Sequence, residues 1–271
     1  MKRDLSSSAA KRRSYRLRSQ DRSNKKPMSE DTIYTDREGD EPFRFNADVA
    51  NVFPDMLRRS IPGYAASLEA IGSLAARYVR AGTHCYDLGC SLGAASLAMR
   101  QGIRADGCRI VAIDNAPAMV KRCREIIAEE SIRHPTATPV DVVEGNIRDA
   151  QLANASMIVM NYTLQFLPID QRDEMIAKIF SGLDRGGLLV LSEKVVDPDP
   201  AMEKLLVDLH HEHKRRNDYS ALEVSRKRAA LENVLNPETV SDHRERLLRT
   251  GFSSAAVWLR YFNFVSIIAI R

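Results

Sequence analysis

The sequence predicts a doubly wound α/β domain on a mostly parallel seven-stranded sheet, and three observations carry that prediction. Short runs of Val, Ile, Leu and Met alternate with amphipathic helical stretches. Strands apolar on both faces and separated by helices belong to parallel sheets with crossovers. The first such run enters a glycine turn, Gly89-Cys90-Ser91-Leu92-Gly93. The last two runs, about 255–261 and 264–270, flank only Phe262-Asn263. That link is too short for a crossover, so the final strand returns antiparallel.

Taken in order, helical periodicity covers about 46–59 and 65–80, broken at Ser60-Ile61-Pro62-Gly63, where Pro and Gly interrupt it. Residues 84–88 form the first strand, 94–101 a helix, 109–113 a strand ending in Asp114, and 119–132 a helix. Three further strands are expected at 140–143, 157–160 and 188–191. Between the last two, residues 170–183 have helical spacing that stops at Asp184-Arg185-Gly186-Gly187. After Pro200 the pattern changes to helices at about 200–216, 219–235 and 238–249, an insertion before the closing hairpin. No internal repeat is visible, so residues 31–271 read as one domain.

Composition excludes several classes. An apolar fraction of 44% is ordinary for a folded chain of 271 residues, and no apolar run is long enough to span a membrane. The net charge of +4 is unevenly spread: residues 1–30 carry +7 and the remainder −3. That basic segment lacks apolar periodicity and is expected to be a disordered extension. It reads as an RNA-attracting arm, as a plain solvated tail, or as sequence upstream of a true start at Met28. It also lacks the apolar stretch of a secretory signal, which points to the cytoplasm. Four cysteines without a C-x-x-C pair argue against a disulfide scaffold or a zinc ribbon. His210, His211 and His213 lack the i, i+4 spacing of helical metal ligands, so no metal is expected.

The glycine turn gives the first chemical signal. Gly89 permits a tight turn and close ligand approach, and Gly93 permits close helix packing. With Ser91 between them, the dinucleotide fingerprint is absent. Asp87, just before the turn, repels a pyrophosphate but suits an ammonium group. Asp114, at the end of the second strand, stands where an acid grips ribose hydroxyls. Either acid alone is also an ordinary strand-end turn former. Together with the turn they favour a nucleoside lacking phosphate, and S-adenosyl-L-methionine fits that description.

From about residue 31 to 270 the chain resembles the carboxy-S-adenosyl-L-methionine synthases, a bacterial branch of the class I methyltransferase, Rossmann-like fold. The resemblance is carried by Ser60-Ile61-Pro62-Gly63-Tyr64, Asn161-Tyr162-Thr163-Leu164-Gln165-Phe166-Leu167, Leu191-Ser192-Glu193-Lys194 and the insertion around Lys227-Arg228. It implies that Tyr64 meets the amino-acid end of S-adenosylmethionine, and that Gly89, Cys90 and Ser91 line its methionine portion. Asp114 and Asn115 would hold the ribose and adenine edge, Asn146 and Ile147 the adenine, and Asn161 would lie near the sulfonium. Asn146 departs from the family, which usually has Asp there. Its carbonyl still accepts from the adenine amino group, so binding should survive.

The resemblance also implies the reaction: S-adenosylmethionine and prephenate become carboxy-S-adenosylmethionine and phenylpyruvate. Prephenate loses carbon dioxide, the cofactor's methyl group loses a proton to give a sulfonium ylide, and the ylide captures the carbon dioxide. A product carboxylate beside a sulfonium needs a fixed cation, which by resemblance is Arg228. Prephenate carries a second carboxylate, and Arg59 is the candidate for it, unless it is an ordinary helix-end charge. No side-chain base is evident. Family membership further implies a homodimer, and a functional link to a tRNA carboxymethyltransferase that uses the product at the wobble uridine. Direct tRNA binding is not expected. Two alternatives remain open at this point: an ordinary methyltransferase acting on RNA or a small molecule, and a non-catalytic nucleoside sensor or RNA-binding scaffold.

Overall fold

The computed structural model describes residues 30–31, 44–220, 223 and 235–271. The basic extension, apart from Glu30, and nearly all of the helix expected at 219–235 lie outside the described residues.

Among the described residues, seven strands form one sheet: β1 (His84–Leu88), β2 (Arg109–Asp114), β3 (Val140–Glu144), β4 (Ala155–Asn161), β5 (Leu183–Lys194), β6 (Ser254–Tyr261) and β7 (Phe264–Ile270). Their order is β3-β2-β1-β4-β5-β7-β6. The first five are parallel neighbours, and β7 enters antiparallel between β5 and β6. The doubly wound prediction therefore holds, including the closing hairpin at Phe262-Asn263. The order in which strands are added reverses between the parallel neighbours β1 and β4. Open α/β sheets bind ligands at the carboxyl edge of such a switch point.

Both faces are covered. Ile71, Ala75, Met99 and Ile103, from α2 (Tyr64–Tyr78) and the end of α3 (Ala94–Gly102), pack on Cys85, Ile110, Met157 and Val159. On the other face, Met175, Ile176 and Ile179 of α5 (Ile169–Gly182) and Leu247 of α7 (Val240–Thr250) meet Leu88, Ile158, Met160 and Ile267. Six of the seven β4 residues are buried, which explains the unbroken apolar run read from the sequence. The helix α4 (Pro117–Arg133) connects β2 to β3, and α6 (Pro200–Arg216) begins the insertion.

The strand expected at 188–191 is longer, running Leu183–Lys194. Ala155 pairs with Leu183 and Met157 with Leu188, so Asp184–Gly187 bulge out of an otherwise continuous ladder. Gly186, at φ 72°, supplies the left-handed residue that returns the chain to register. The helix ends at Gly182 as expected, and the glycine pair that follows is a bulge inside the strand.

The amino-terminal helix α1 (Ala47–Ser60) is capped by the Asn46 side chain, which accepts from the Val49 amide at 3.0 Å. Its buried stripe of Val49, Val52, Phe53 and Met56 rests on Leu92 and Met119. That contact holds α1 as a roof over the carboxyl edge of the sheet.

Candidate active site

A cavity of about 880 Å³ opens at the carboxyl edge of the sheet under α1. Its floor is the β1–α3 loop. Gly89, at φ 79°, would place a side chain directly on Thr163, so the loop after β1 and the loop after β4 touch only because residue 89 has none. The Gly89 and Cys90 amides both donate to the Ile113 carbonyl, at 2.8 and 3.0 Å. Ser91 takes φ 48°, and its amide donates to Asp114 Oδ2 at 2.8 Å. Asp114 Oδ1 accepts from the Ala116 amide at 2.9 Å. One carboxylate thus joins the loops after β1 and β2. Burial pushes its pKa up, against the pull of these amide bonds.

Asp87 is 1% exposed, and its Oδ2 accepts from the Ser96 amide at 2.9 Å and the Ser96 hydroxyl at 2.6 Å. Burial, with the charge of Asp114, pushes it up to about 6 while the Ser96 bonds oppose. A cation beside it would restore full ionisation. Tyr64, at the start of α2, lies 6.5 Å from the ring of Tyr162, which follows β4 at φ 63°. Burial raises both phenols, with the charge of Asp87 adding at Tyr64, so both are neutral donors at ordinary pH.

Each of the nine described residues expected at the cofactor lines this one cavity. Asn146 Oδ1 accepts from the Arg148 amide at 3.0 Å, which fixes its turn after β3, and Ile147 is buried beside it. Asn161, at the end of β4, carries a buried Oδ1 with no hydrogen-bond partner among the described residues. An orphaned acceptor facing a cavity is a site for a ligand's donor or positive pole. Orphaned acceptor, glycine cradle and buried acids fit an adenosyl sulfonium amino acid.

The two predicted cations fare differently. Arg228 lies outside the described residues. Arg59, proposed from sequence for a substrate carboxylate, is absent from the cavity wall. It is 3% exposed, and its Nε donates to the Asn217 carbonyl at 2.6 Å. Its Nη1 donates to the Asp31 carbonyl at 3.2 Å and faces Asp55 Oδ2 at 3.4 Å, while the guanidinium stacks 3.9 Å from the Tyr219 ring. Arg59 therefore clamps the end of α1 to the end of α6 through Nε and Nη1.

Several wall residues were given no site role from the sequence: Tyr162, Thr163, Lys194, His210, Lys214 and Phe264. Lys194 carried a usable signal, since it directly follows the apolar run of a central strand, where the carboxyl edge must be. Tyr162 and Thr163 likewise follow the apolar run of β4, whereas His210, Lys214 and Phe264 depend on how the insertion and the hairpin fold back, which spacing does not encode.

Comparison with known proteins agrees with this geometry. The family model described as a methyltransferase domain matches residues 86–187. A carboxy-S-adenosyl-L-methionine synthase of Citrifermentans bemidjiense is 52% identical over 229 residues, covering 84% of this chain and 93% of the relative. The enzyme of the same name from Vibrio campbellii is 50% identical over 244 residues, covering 89% and 97%. Among solved structures, human N-acetylserotonin methyltransferase in complex with S-adenosylmethionine superposes with a TM-score of 0.54 at 16% identity, covering 83% of this chain and 55% of that one. At that identity the likeness concerns the fold.

Proposed function

The chain belongs to the carboxy-S-adenosyl-L-methionine synthase family, and on that premise we propose that it converts S-adenosylmethionine and prephenate into carboxy-S-adenosylmethionine and phenylpyruvate. In the net reaction one carboxyl carbon moves from prephenate to the methyl carbon of S-adenosylmethionine. The ring hydroxyl of prephenate leaves with a methyl proton as water, and the ring becomes aromatic. The observation that supports this best is one continuous cavity with two chemically distinct ends. Near β1, β2 and β3 it offers the glycine cradle, Asp87, Asp114 and Asn146; near β5 and α6 it is bounded by Phe264 and lysines.

S-adenosylmethionine supplies the methyl carbon that accepts the carboxyl group. The chain's own residues bind and orient. Asp87 faces the ammonium of the methionine portion, Asp114 the ribose hydroxyls, Asn146 and Ile147 the adenine, and Asn161 Oδ1 the sulfonium. Neutral Tyr64 donates to the methionine carboxylate, and Arg228 holds the product carboxylate. The buried setting excludes water, which strengthens these electrostatic contacts and protects carbon dioxide from hydration. The product would serve a tRNA carboxymethyltransferase, and the enzyme would act as a cytoplasmic homodimer.

Incubation with S-adenosylmethionine, with and without prephenate, followed by mass spectrometry tests the reading. A product heavier than S-adenosylmethionine by one carbon dioxide should form only when prephenate is present. Methylation of an added RNA or small molecule, with no such product, would replace the synthase by an ordinary methyltransferase. Retention of S-adenosylmethionine without turnover in either mixture would make the chain a sensor.

A further inference from the structure

With Arg59 committed to the α1–α6 clamp, the cavity needs another cation for the second carboxylate of prephenate, and two lysines line it. Lys194 ends β5 and stands directly opposite Phe264 in the antiparallel pair β5–β7. Directly opposed residues project from the same face of a sheet. The Phe264 ring lies edge-on to His210 of α6, with centroids 4.8 Å apart. Lys214 follows His210 by one helical turn and so shares its face. Lys194, His210, Lys214 and Phe264 all line the cavity.

His210 reports on the lysines. Its Nε2 lies 2.9 Å from the Ser60 carbonyl, which only accepts, so Nε2 carries the proton. Burial, and then the charges of Lys214 and Lys194, push the imidazole down to about 2. Both lysines therefore lie near enough to His210 to act on it, and the histidine stays neutral. Lys214 is only 6% exposed, so its charge is held in a place with little water. Glu203 also borders this end, and its Oε2 is engaged by the Asp197 amide at 2.8 Å.

We propose that Lys194 and Lys214 together bind the pyruvyl carboxylate of prephenate, the one retained in phenylpyruvate. The inference rests on the synthase reading above and adds which substrate carboxylate these cations serve. Chemistry decides between the two carboxylates. Pairing a cation with the ring carboxylate would stabilise the ground state and oppose loss of carbon dioxide. That carboxylate must also face the cofactor methyl group, at the Tyr64–Asn161 end. The pyruvyl group then points the other way, towards the end of β5 and the last turn of α6. A lysine pair there fixes the substrate through a group that does not react, which is where binding energy helps orientation most.

The test is calorimetric titration of the enzyme loaded with S-adenosylhomocysteine, which has no methyl group to react. Prephenate and phenylpyruvate are each titrated into wild type, Lys194→Met and Lys214→Met. Each substitution should weaken both ligands by the same factor, about tenfold to a hundredfold. S-adenosylhomocysteine affinity should stay within about twofold, and Lys194→Arg and Lys214→Arg should recover most of the loss. Weakening of prephenate alone would place the lysines on the ring carboxylate and overturn the proposal. Unchanged binding of both ligands would overturn it as well. If Lys214→Met does not fold, Lys194→Met and Lys214→Arg still decide the matter, since the first must weaken both ligands and the second must keep them. A wild type that binds prephenate yet makes no carboxylated product would defeat the synthase reading separately.

Discussion

Asp114→Ala is expected to weaken S-adenosylmethionine binding by at least about a hundredfold, the loss of two charge-assisted hydrogen bonds at roughly 1.5–3 kcal/mol each. Two separate effects converge on this carboxylate. It faces the cavity where ribose hydroxyls would donate, and it accepts from the Ser91 amide at 2.8 Å and the Ala116 amide at 2.9 Å. Removing it leaves both amides without that acceptor and releases Ser91 from its φ of 48°. Asp114→Asn keeps one carbonyl acceptor and the side-chain volume, so its loss should be smaller. Calorimetry on both variants, with melting curves to confirm folding, checks this. An affinity within about threefold of wild type for Asp114→Ala would remove the residue from the cofactor site.

Arg172→Ala is expected to destabilise the fold by about 3–5 kcal/mol, the cost of breaking a buried ion pair from one side. Arg172 is fully buried, and its guanidinium donates to Leu167 O at 3.0 and 2.9 Å, Gln165 O at 3.2 Å, Asn236 O at 2.7 Å and Glu238 Oε2 at 2.5 Å. It thereby ties the loop after β4 to the segment that leads into α7. Nearby, Glu193 accepts from the Leu164 and Gln165 amides at 3.0 and 2.9 Å. Burial pushes Glu193 up to about 8 against the pull of Arg172. Without the arginine it rises further, so the neutral form of Glu193 holds over a wider pH range. The same loop carries Thr163, against which Gly89 packs, so the cofactor cradle should loosen with the fold. Arg172→Lys should rescue little, because an ammonium on a flexible stem cannot meet four separate acceptors in a plane. Urea denaturation of the three proteins measures the effect, and a loss below about 1 kcal/mol would contradict this account of the network.

Much of the fold was readable because burial on both faces leaves a plain mark. The unbroken Met157–Met160 run fits only a central strand. The two-residue link at Phe262-Asn263 leaves no room for a crossover. The cavity-lining residues were readable for a related reason: a parallel sheet gathers the groups at its strand ends, and Asp87, Asp114 and Asn161 each end or nearly end a strand. Arg59 misled because its environment is set by residues far along the chain. Asn217 is 158 positions away, and nothing in the local pattern of α1 signals that contact. Asp184–Gly187 does mark the end of the helical stretch, but nothing in the local pattern shows that these residues also form a bulge within β5. The places of Lys214 and Phe264 on the cavity wall follow from α6 folding over that edge and from β7 inserting beside β5. These are tertiary events, and helical or strand periodicity carries no trace of them.

The central claim is that the carboxyl group of the product comes from prephenate within this cavity. It is tested most directly by supplying prephenate with a heavy-isotope carbon at the ring carboxyl, in buffer containing unlabelled bicarbonate. The account predicts carboxy-S-adenosylmethionine with the label at its new carboxyl carbon, formed together with unlabelled phenylpyruvate. Unlabelled carboxy-S-adenosylmethionine, or labelled carbon dioxide released with no carboxylated product, would contradict it.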